Sequence, residues 1–481
     1  MLFSSAIFLF LYLPSFLVIY YLLPRRWHNA FLFAASLVFY AWGEGMIVLV
    51  LLLSAGINYL AGRLIEQGHR RLGLWLSLVG SLSLLFYYKY ANFLFDSVRG
   101  FAEAFALPVS EGLTLAQIAL PIGISFYTFR GISYTLDIYW GRIHANRSFL
   151  DYGTYVAMFP HQIAGPIVRY ADIAPELTDR TTTIEKFGVG AERFIIGLAK
   201  KVLIANTFAG MADTVFNAAP GSYDTPTAWI GIVAYSLQIY FDFSGYSDMA
   251  IGLGKMVGFD FKENFNYPYV AKSIQDFWRR WHISLSSWFR DYVYIPLGGN
   301  RAGKVRTYVN LLIVFLVTGL WHGASWNFIV WGLYHGAFQL IERFGLGRRL
   351  ERGWAPLAHL YTLLVVMIGW VFFRAATLTD AVIYLRKMAG LDGVSSQLVA
   401  YPPTYFINTE TVGSLVIALV CCTPVYHRFQ TSWARFQLGI TKPAVRYTLD
   451  SVYVLGLVGL FVMAVMYLAA DTYNPFIYFR F

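Results

Sequence analysis

The sequence predicts an all-α protein that crosses a membrane many times. Its 481 residues are 57% hydrophobic and only 13% charged, with a mean hydropathy of +0.53. A soluble domain carries about 25% charged residues, so this chain has too little polar surface to stay dispersed in water. Apolar runs recur along the chain without the alternation of a membrane β-barrel. These features exclude a soluble enzyme, a disordered or fibrous protein and a disulfide scaffold.

The net charge of +10 is explained by membrane topology. Lys and Arg remain in cytoplasmic loops and orient the helices, so no nucleic-acid partner is expected. The two cysteines, Cys421 and Cys422, are adjacent within an apolar run. Because they offer neither a disulfide framework nor CxxC spacing, no metal site is expected.

Length and flanking charge define the first segments. An apolar stretch of about 20 residues spans a bilayer, and its basic end faces the cytoplasm. Ala30–Ala61 lies between two basic clusters with Glu44 near its centre, which predicts a hairpin of two short helices with both ends inside. The other segments are a retained first span at Ser4–Leu23, an outward span at Leu72–Phe95, a polar outer loop at Asp96–Gly112 and a returning span at Ile118–Leu136.

The middle of the chain places charged residues in apolar surroundings. Ile184–Ala205 mixes basic and apolar residues near the helical period, which predicts an amphipathic helix lying on the cytoplasmic leaflet. Trp229–Phe259 is apolar but contains Asp242 and Asp248. Since charges within a bilayer are costly unless paired, we expect these aspartates to pair with an intramembrane arginine such as Arg130.

Asn310–Ile341 has the most informative geometry. Basic residues precede and follow it, so both ends are predicted to be cytoplasmic. Its 32 residues are too few for two full crossings, which need about 40 residues. The segment should therefore enter the membrane, break near Gly319–Ala324 and return. Non-helical backbone at that depth persists only beside protein or a wet cavity, so His322 is predicted to face a cavity inside the membrane.

The last segments are conventional. Ala358–Phe373 exits, Arg374–Glu410 forms an outer loop, Val412–Tyr426 returns and Ser451–Ala470 exits. The total is about ten or eleven spans plus re-entrant and interfacial pieces. No soluble module is expected, so residues 1–481 are predicted to form a single membrane domain.

A second candidate site residue is His282, in a segment (271–306) that is predicted to be interfacial or partly re-entrant. Tryptophans surround it in WRRWHISLSSW, and Arg279 and Arg280 precede it. Aromatic faces and arginines together suit an anionic ligand or an acyl carrier. His335 lies on an apolar stretch, where a hydrogen-bonded core role is expected.

Several catalytic motifs do not occur in the sequence. It contains no GxSxG, HExxH or HxxxxD pattern, no P-loop and no Rossmann fingerprint. What remains is chemistry in which one histidine, as general base, activates a hydroxyl against an already activated donor. Acyl transfer from a thioester fits this description. A transporter that relays protons through His and Asp, and a non-enzymatic scaffold, stay open as alternatives.

Five strings resemble the membrane-bound O-acyltransferase family, and the likeness extends over essentially the whole chain. They are LPIGISFYTFRGISY (120–134), FPHQIAGPIVRY (159–170), QIYFDFSGYSDMAIGLGKMVGFDFKENFNYPY (238–269), FWRRWHISLSSWFRDYVYIPLGGNR (277–301) and GLWHGASWNFIVWGLYHG (319–336). They are most similar to the branch that acetylates bacterial polysaccharides. The resemblance implies helices arranged around a central tunnel and alginate as the first expected acceptor. Cellulose, peptidoglycan and D-alanyl transfer to teichoic acid are the alternatives.

The resemblance also implies roles for individual residues. His322 matches the essential histidine of the family, in its WHG setting, and His282 matches the second signature position about 40 residues upstream. The expected mechanism uses His322 as general base on the attacking hydroxyl, while His282 positions the donor or helps to stabilise the oxyanion. The residues expected to bind the donor are Arg279, Arg280, Trp281 and Arg290.

The donor implied by the resemblance is acetyl-CoA or an acyl carrier thioester, with no tightly bound cofactor. The implied location is the bacterial inner membrane, in contact with lipid. The acetyl group would pass to a periplasmic acetyltransferase of the SGNH type or directly to the exopolysaccharide.

Overall fold

The computed structural model describes residues 1–105, 115–301, 303–391, 400–438, 440, 442–470 and 473–475. Helices make up 78% of these residues, and no strand occurs among them. The α-helices are α1 (Leu13–Leu22), α2 (His28–Glu44), α3 (Val48–Glu66), α4 (Arg70–Leu85), α5 (Ala91–Ala104), α6 (Ile124–Tyr139), α7 (Phe149–Ala157), α8 (Tyr170–Thr178), α9 (Ile184–Ala199), α10 (Asn206–Phe216), α11 (Thr225–Met256), α12 (Ile274–Arg280), α13 (Ile283–Phe289), α14 (Lys304–His322), α15 (Trp326–Ile341), α16 (Gly347–Arg352), α17 (Ala355–Arg374), α18 (Leu378–Met388), α19 (Pro403–Phe406), α20 (Thr409–Cys421), α21 (Val425–Leu438) and α22 (Pro443–Ala470). Wider π-helical turns occupy Phe8–Tyr12, Phe86–Tyr90, Lys200–Ala205, Arg290–Tyr294 and Glu342–Leu346.

Six helical segments of the described chain are long and apolar enough to cross a membrane. They are Arg25–Glu66, Arg70–Ala104, Ile184–Phe216, Lys304–His322, Ala355–Arg374 and Pro443–Ala470. Phe8–Leu22 and Thr409–Cys421 are shorter apolar helical segments. The prediction of an all-α, multi-pass membrane protein is confirmed. The number of spans stays a prediction, because length and composition alone do not distinguish a buried helix from a crossing one.

The predicted hairpin around Glu44 is confirmed. Gly45 follows α2 with a φ of +55°, a conformation that glycine adopts at little cost, and the chain then reverses into α3. The ring of Phe149 lies 6.4 Å from Phe33 near the start of α2 and 5.4 Å from Tyr59 near the end of α3. Both outer ends of the hairpin therefore lie on the same side.

Two boundaries in the next part of the chain differ from the predictions. α4, a π-helical turn and α5 form one helical segment to Ala104, so the predicted loop Asp96–Gly112 begins later; residues 106–114 lie outside the described chain. The predicted span Ile118–Leu136 becomes helical only at Ile124. Gly123 precedes it with a φ of +79°, and a Cβ at this position would lie 2.7 Å from a backbone oxygen.

The predicted helix at Ile184–Ala205 is present, but it packs against α11 within the protein; its position on the leaflet surface stays a prediction. This stretch belongs to a helical segment of 33 residues, Ile184–Phe216, that is apolar enough to span a membrane. It packs along α11 at very short range. A Cβ built on Gly197 would lie 2.6 Å from the carbonyl oxygen of Gly245, and one on Gly245 would lie 2.7 Å from that of Gly197.

Ion pairs explain why basic residues can occur in this buried helix. Lys201 lies 2.9 Å from Asp242, and the two side chains are 4% and 1% exposed. Arg193 and Lys200 each lie 2.6 Å from Asp248. The expectation of a structural pairing for both aspartates is confirmed, but the partners are these cations rather than Arg130. A lone buried charge would be strongly destabilising, so each pair allows the helices to pack.

α14 and α15 form the predicted broken hairpin. The backbone leaves the helix at Gly323, within the predicted break, and α15 begins at Trp326. The two helices approach closely, since a Cβ on Gly319 would lie 2.2 Å from the carbonyl oxygen of Phe328. α14 starts at Lys304, six residues before the predicted boundary.

The C-terminal predictions are partly correct. α17 (Ala355–Arg374) contains the predicted span Ala358–Phe373. The predicted outer loop Arg374–Glu410 contains α18 and α19. The predicted span Val412–Tyr426 is helical to Cys421 and turns before α21. α22 begins eight residues before the predicted start at Ser451.

Replacing Gly197 by alanine should destabilise the protein. The new Cβ would meet backbone atoms of α11 that cannot move independently, and overpacking of this kind costs about 1–3 kcal/mol. Gly188→Ala is the matched control on the same helix, because a Cβ there has no neighbour within 4 Å. Thermal unfolding in detergent should show a lower midpoint for Gly197→Ala and an unchanged or higher one for Gly188→Ala. Equal midpoints for both variants would contradict close packing of α9 on α11.

Candidate functional site

His322 is the last residue of α14 and is 5% exposed. Its imidazole lies 5.0 Å from the ring of Trp331 and 5.1 Å from that of Phe373. Neither ring nitrogen has a hydrogen-bond partner among the described residues. Buried polar atoms are normally paired, so these nitrogens are available to a substrate or to water.

A cavity of about 470 Å³ borders His322, as predicted. We call it the histidine cavity; its polar lining includes Glu44, Lys89, Ser125 and His322. A second cavity of about 660 Å³, here called the polar cavity, is lined by Lys89, Asn92, Asp96, Gln117, Gln238 and Arg374 among others. Lys89 borders both cavities, so it lies where they adjoin.

His282 is fully buried next to His322. The centroids of the two imidazole rings are 6.5 Å apart, and Trp321 contacts both of them. His282 has a φ of +45°, which is uncommon for a residue other than glycine. A separation of 6.5 Å is within the range of direct ring contact, so the two histidines form a buried pair.

Asn264 determines which nitrogen of His282 carries the proton. The backbone N–H and the hydroxyl of Ser284 both donate to Asn264 Oδ1, at 3.2 and 2.8 Å. Because a backbone N–H only donates, this Asn264 atom must be the amide oxygen. His282 Nδ1 lies 3.2 Å from the same oxygen and therefore donates to it. Nε2 of the neutral ring is then an unprotonated acceptor, and it has no partner among the described residues.

Burial also keeps His282 neutral. Desolvation lowers the pKa of this imidazole, which lies outside the six long apolar segments, to about 3. A neutral ring near pH 7 is the form that can accept a proton.

The structure separates the residues predicted to bind the donor into exposed and buried groups. Arg279 and Arg290 are exposed, and Arg280 is half-buried, with its Nε 2.9 Å from Asp276. Trp281 is 3% exposed; its ring packs against Phe265, Phe277 and Trp370 rather than offering an open face. The role of these four residues in donor binding stays a prediction.

Asp291 modifies the charge of this basic surface. Burial opposes ionisation of Asp291, but hydrogen bonds from Arg290 and Arg169 lower its pKa below the usual value. The carboxylate is therefore ionised and offsets part of the positive charge.

Sequence reasoning missed two residues of this site. Lys89 is an ionisable residue within a predicted span, and this position alone could have marked it as a candidate. Asn264 carries no comparable signal, because its contact with His282 depends on the fold. His335, expected to be hydrogen-bonded, is buried against Trp278 and Trp331, and its ring nitrogens have no partner among the described residues.

The apolar helices define a membrane protein. The two buried histidines, with a cavity beside His322, provide the groups for general-base chemistry. A family model for membrane-bound O-acyltransferases matches residues 143–348. The chain is 42% identical to the "probable alginate O-acetylase" of Pseudomonas putida over 100% of both chains. It is 47% identical to the protein of that name from Azotobacter vinelandii, over 79% of this chain and 76% of the relative.

More distant relatives carry other names. The peptidoglycan O-acetyltransferase of Helicobacter pylori is 35% identical over 89% of this chain and 87% of its own length. These similarities show that the chain belongs to the membrane-bound O-acyltransferase family, and it is an O-acyltransferase. Family membership decides in favour of the enzyme over the transporter and scaffold alternatives.

The low pKa of His282 predicts a loss of stability in acid. The unfolded residue binds a proton near its ordinary pKa of 6.5, whereas the folded ring does so only near 3. The stability that the His282 ring contributes is therefore fully present above pH 6.5. It is lost as the pH falls from 6.5 to about 3, by at most about 1.4 kcal/mol per pH unit. His282→Asn, a residue that tolerates left-handed backbone, should flatten the pH profile of the unfolding midpoint. The exposed His69→Asn is the control; identical profiles for His282→Asn and wild type would contradict the assignment.

Proposed function

We propose that this enzyme transfers an acetyl group from a cytoplasmic thioester donor across the bacterial inner membrane for O-acetylation of an exported polysaccharide, with alginate as the acceptor polymer. The observation that carries the chemistry is His322, with two unpaired ring nitrogens beside a cavity and next to His282. The acceptor is supported by the 40–48% identity to relatives named alginate O-acetylase. Residues 1–481 act as one membrane domain in this proposal.

His322 is the proposed general base. It removes the proton of the attacking hydroxyl while the hydroxyl oxygen forms a bond to the acetyl carbonyl carbon. The tetrahedral intermediate then loses the thiolate as the C–S bond breaks, and the imidazolium of His322 returns the proton to that sulfur. The products are an O-acetyl ester and a free thiol, so no external oxidant or cofactor is required.

His282 is the proposed positioning group. Its Nδ1 proton is bound by Asn264, so Nε2 can accept a hydrogen bond but cannot donate one. The attacking hydroxyl has a single proton, which His322 removes, so Nε2 of His282 would instead accept from an N–H or O–H group of the donor; this is the donor-positioning role expected from the resemblance. The neutral ring is not suited to stabilising an oxyanion, the other role expected from the resemblance.

The donor is proposed to approach from the basic end of α14 and α15. Arg301 precedes the hairpin, Lys304 and Arg306 lie in the first turn of α14, and Arg343 follows α15, so this end faces the cytoplasm by the positive-inside rule. The exposed Arg279 and Arg290 are proposed to bind phosphates of acetyl-CoA or of an acyl carrier. Arg280 and Trp281 complete the proposed donor site.

The acceptor is proposed to approach from the opposite side. Ser325, at the break of the hairpin, lines the polar cavity together with Asn92 and Gln117. Amide and hydroxyl groups of this kind suit the hydroxyls of a sugar or of a periplasmic partner of the SGNH type. Lys89 borders both this cavity and the histidine cavity that His322 lines, so we place the acceptor on the side of the hairpin break.

Loss of His322 should abolish acetyl transfer. With purified protein in nanodiscs, radiolabelled acetyl-CoA, an SGNH-type partner and alginate oligomers, we expect His322→Ala to slow donor consumption by about 10²–10⁴-fold, the usual contribution of a general base. His282→Ala should also slow it, whereas the exposed His69→Ala serves as the matched histidine control and should not.

Parallel reactions with cellulose oligomers and peptidoglycan fragments identify the acceptor. Transfer to one of these but not to alginate would contradict the acceptor and leave the chemistry intact. Wild-type protein that consumes neither acetyl-CoA nor an acetylated carrier protein would contradict the proposed donor class.

A further inference from the structure

The end of α14 is held by side chains from another part of the chain. The helix stops at His322, so its last carbonyl groups lack the N–H donors of a following turn. The hydroxyl of Tyr90 donates to the carbonyl of Leu320 at 2.7 Å. The ammonium group of Lys89 donates to the carbonyl of Trp321 and to that of His322, the latter at 3.3 Å.

The local backbone brings these two consecutive residues to the end of α14. Lys89 and Tyr90 end the π-helical turn Phe86–Tyr90, which joins α4 to α5. Such bulges recur at functional sites, because they change which side chains face a neighbouring element. A cation at a helix C-terminus also interacts favourably with the negative end of the helix dipole.

Lys89 is a cation beside a cavity rather than a member of an ion pair. It is half-buried and borders both the histidine cavity and the polar cavity. No carboxylate of the described residues lies within ion-pair distance of it. Glu44 lines the histidine cavity but accepts from the backbone N–H of Ile122, at 3.1 Å. The three N–H groups of Lys89 are instead donated within the protein, to the carbonyls of Trp321 and His322 and to the hydroxyl of Ser125.

Ser125 extends this positive site. Lys89 donates to the Ser125 hydroxyl oxygen at 3.2 Å, and Ser125 also lines the histidine cavity. Because the hydroxyl oxygen accepts from the ammonium, its own proton is free to be donated to a group in the cavity.

We infer that Lys89 is a positioning residue for acetyl transfer: it ties the carbonyl end of α14 to Ser125 of α6 and so fixes the place of His322 beside the histidine cavity. This inference rests on the proposed function. A general base misplaced by about 1 Å can slow a reaction by about 10²-fold, so fixing the end of α14 keeps the barrier low. The contribution is made mainly in the transition state, so it should be seen in kcat rather than in KM.

Substitution of Lys89 tests the inference. In nanodiscs with the acetyl donor and acceptor that support wild-type turnover, Lys89→Met should lower kcat by about 10–100-fold and change the donor KM by less than about threefold. Lys89→Arg keeps the charge and should recover part of kcat. Tyr90→Phe removes one neutral hydrogen bond from the same helix end and should cost about fivefold or less.

Three further measurements separate the outcomes. Unfolding midpoints show whether each variant is folded. If Lys89→Met is not folded, Lys89→Gln replaces it, since this neutral side chain keeps a hydrogen-bond donor. In that case Lys89→Arg should have a higher kcat than Lys89→Gln. A folded Lys89→Met or Lys89→Gln with wild-type kcat, or one that changes only KM, would overturn the inference. Wild type and His322→Ala are assayed together. An active wild type with an inactive His322→Ala keeps the proposed function whatever Lys89 does, whereas an inactive wild type contradicts the proposed function itself.

Discussion

The termination of α14 at His322 is the constraint on which the site depends. A helix that ends inside the protein leaves its last carbonyl groups without N–H donors, so other protein groups must satisfy them. Lys89 and Tyr90 do so from a π-helical turn in another segment of the chain. The same contacts bring Lys89 to the wall of two cavities, one of which His322 also lines. The contacts that satisfy the end of α14 therefore also form part of the site.

The scaffold around this point relies on close backbone contacts and on paired charges. Gly197 and Gly245 allow α9 and α11 to approach within van der Waals distance of backbone atoms. Lys201 and Asp242 neutralise each other between these helices. Buried ion pairs of this kind contribute little net stability, but loss of one partner is strongly destabilising. They therefore favour the helix packing in which both partners meet. In this way the long, buried α11 can contain aspartates although its surroundings are apolar.

The two histidines differ in what surrounds them. His282 is fixed by Asn264, which binds its Nδ1 proton, whereas the nitrogens of His322 meet no described protein group. A fixed acceptor next to an unpaired ring is a suitable arrangement for holding the donor beside the general base. In the proposed reaction the histidine cavity and the polar cavity supply the acceptor side, and the basic end of the α14–α15 hairpin supplies the donor side.

Composition and local pattern alone determined the membrane class, the hairpin at Glu44, the break beside Gly323 and the cavity beside His322, because apolar length, glycine and flanking charge act over short stretches of chain. The same local pattern did not reveal the buried pairing of Lys201 within Ile184–Ala205, since a basic residue gives the same pattern whether it faces water or a buried aspartate. Only the tertiary structure decided the tautomer of His282 and the place of Lys89. Asn264 and His282 are 18 residues apart, and Lys89 and His322 are 233 apart. Contacts over such separations are made by packing, which no local sequence signal records.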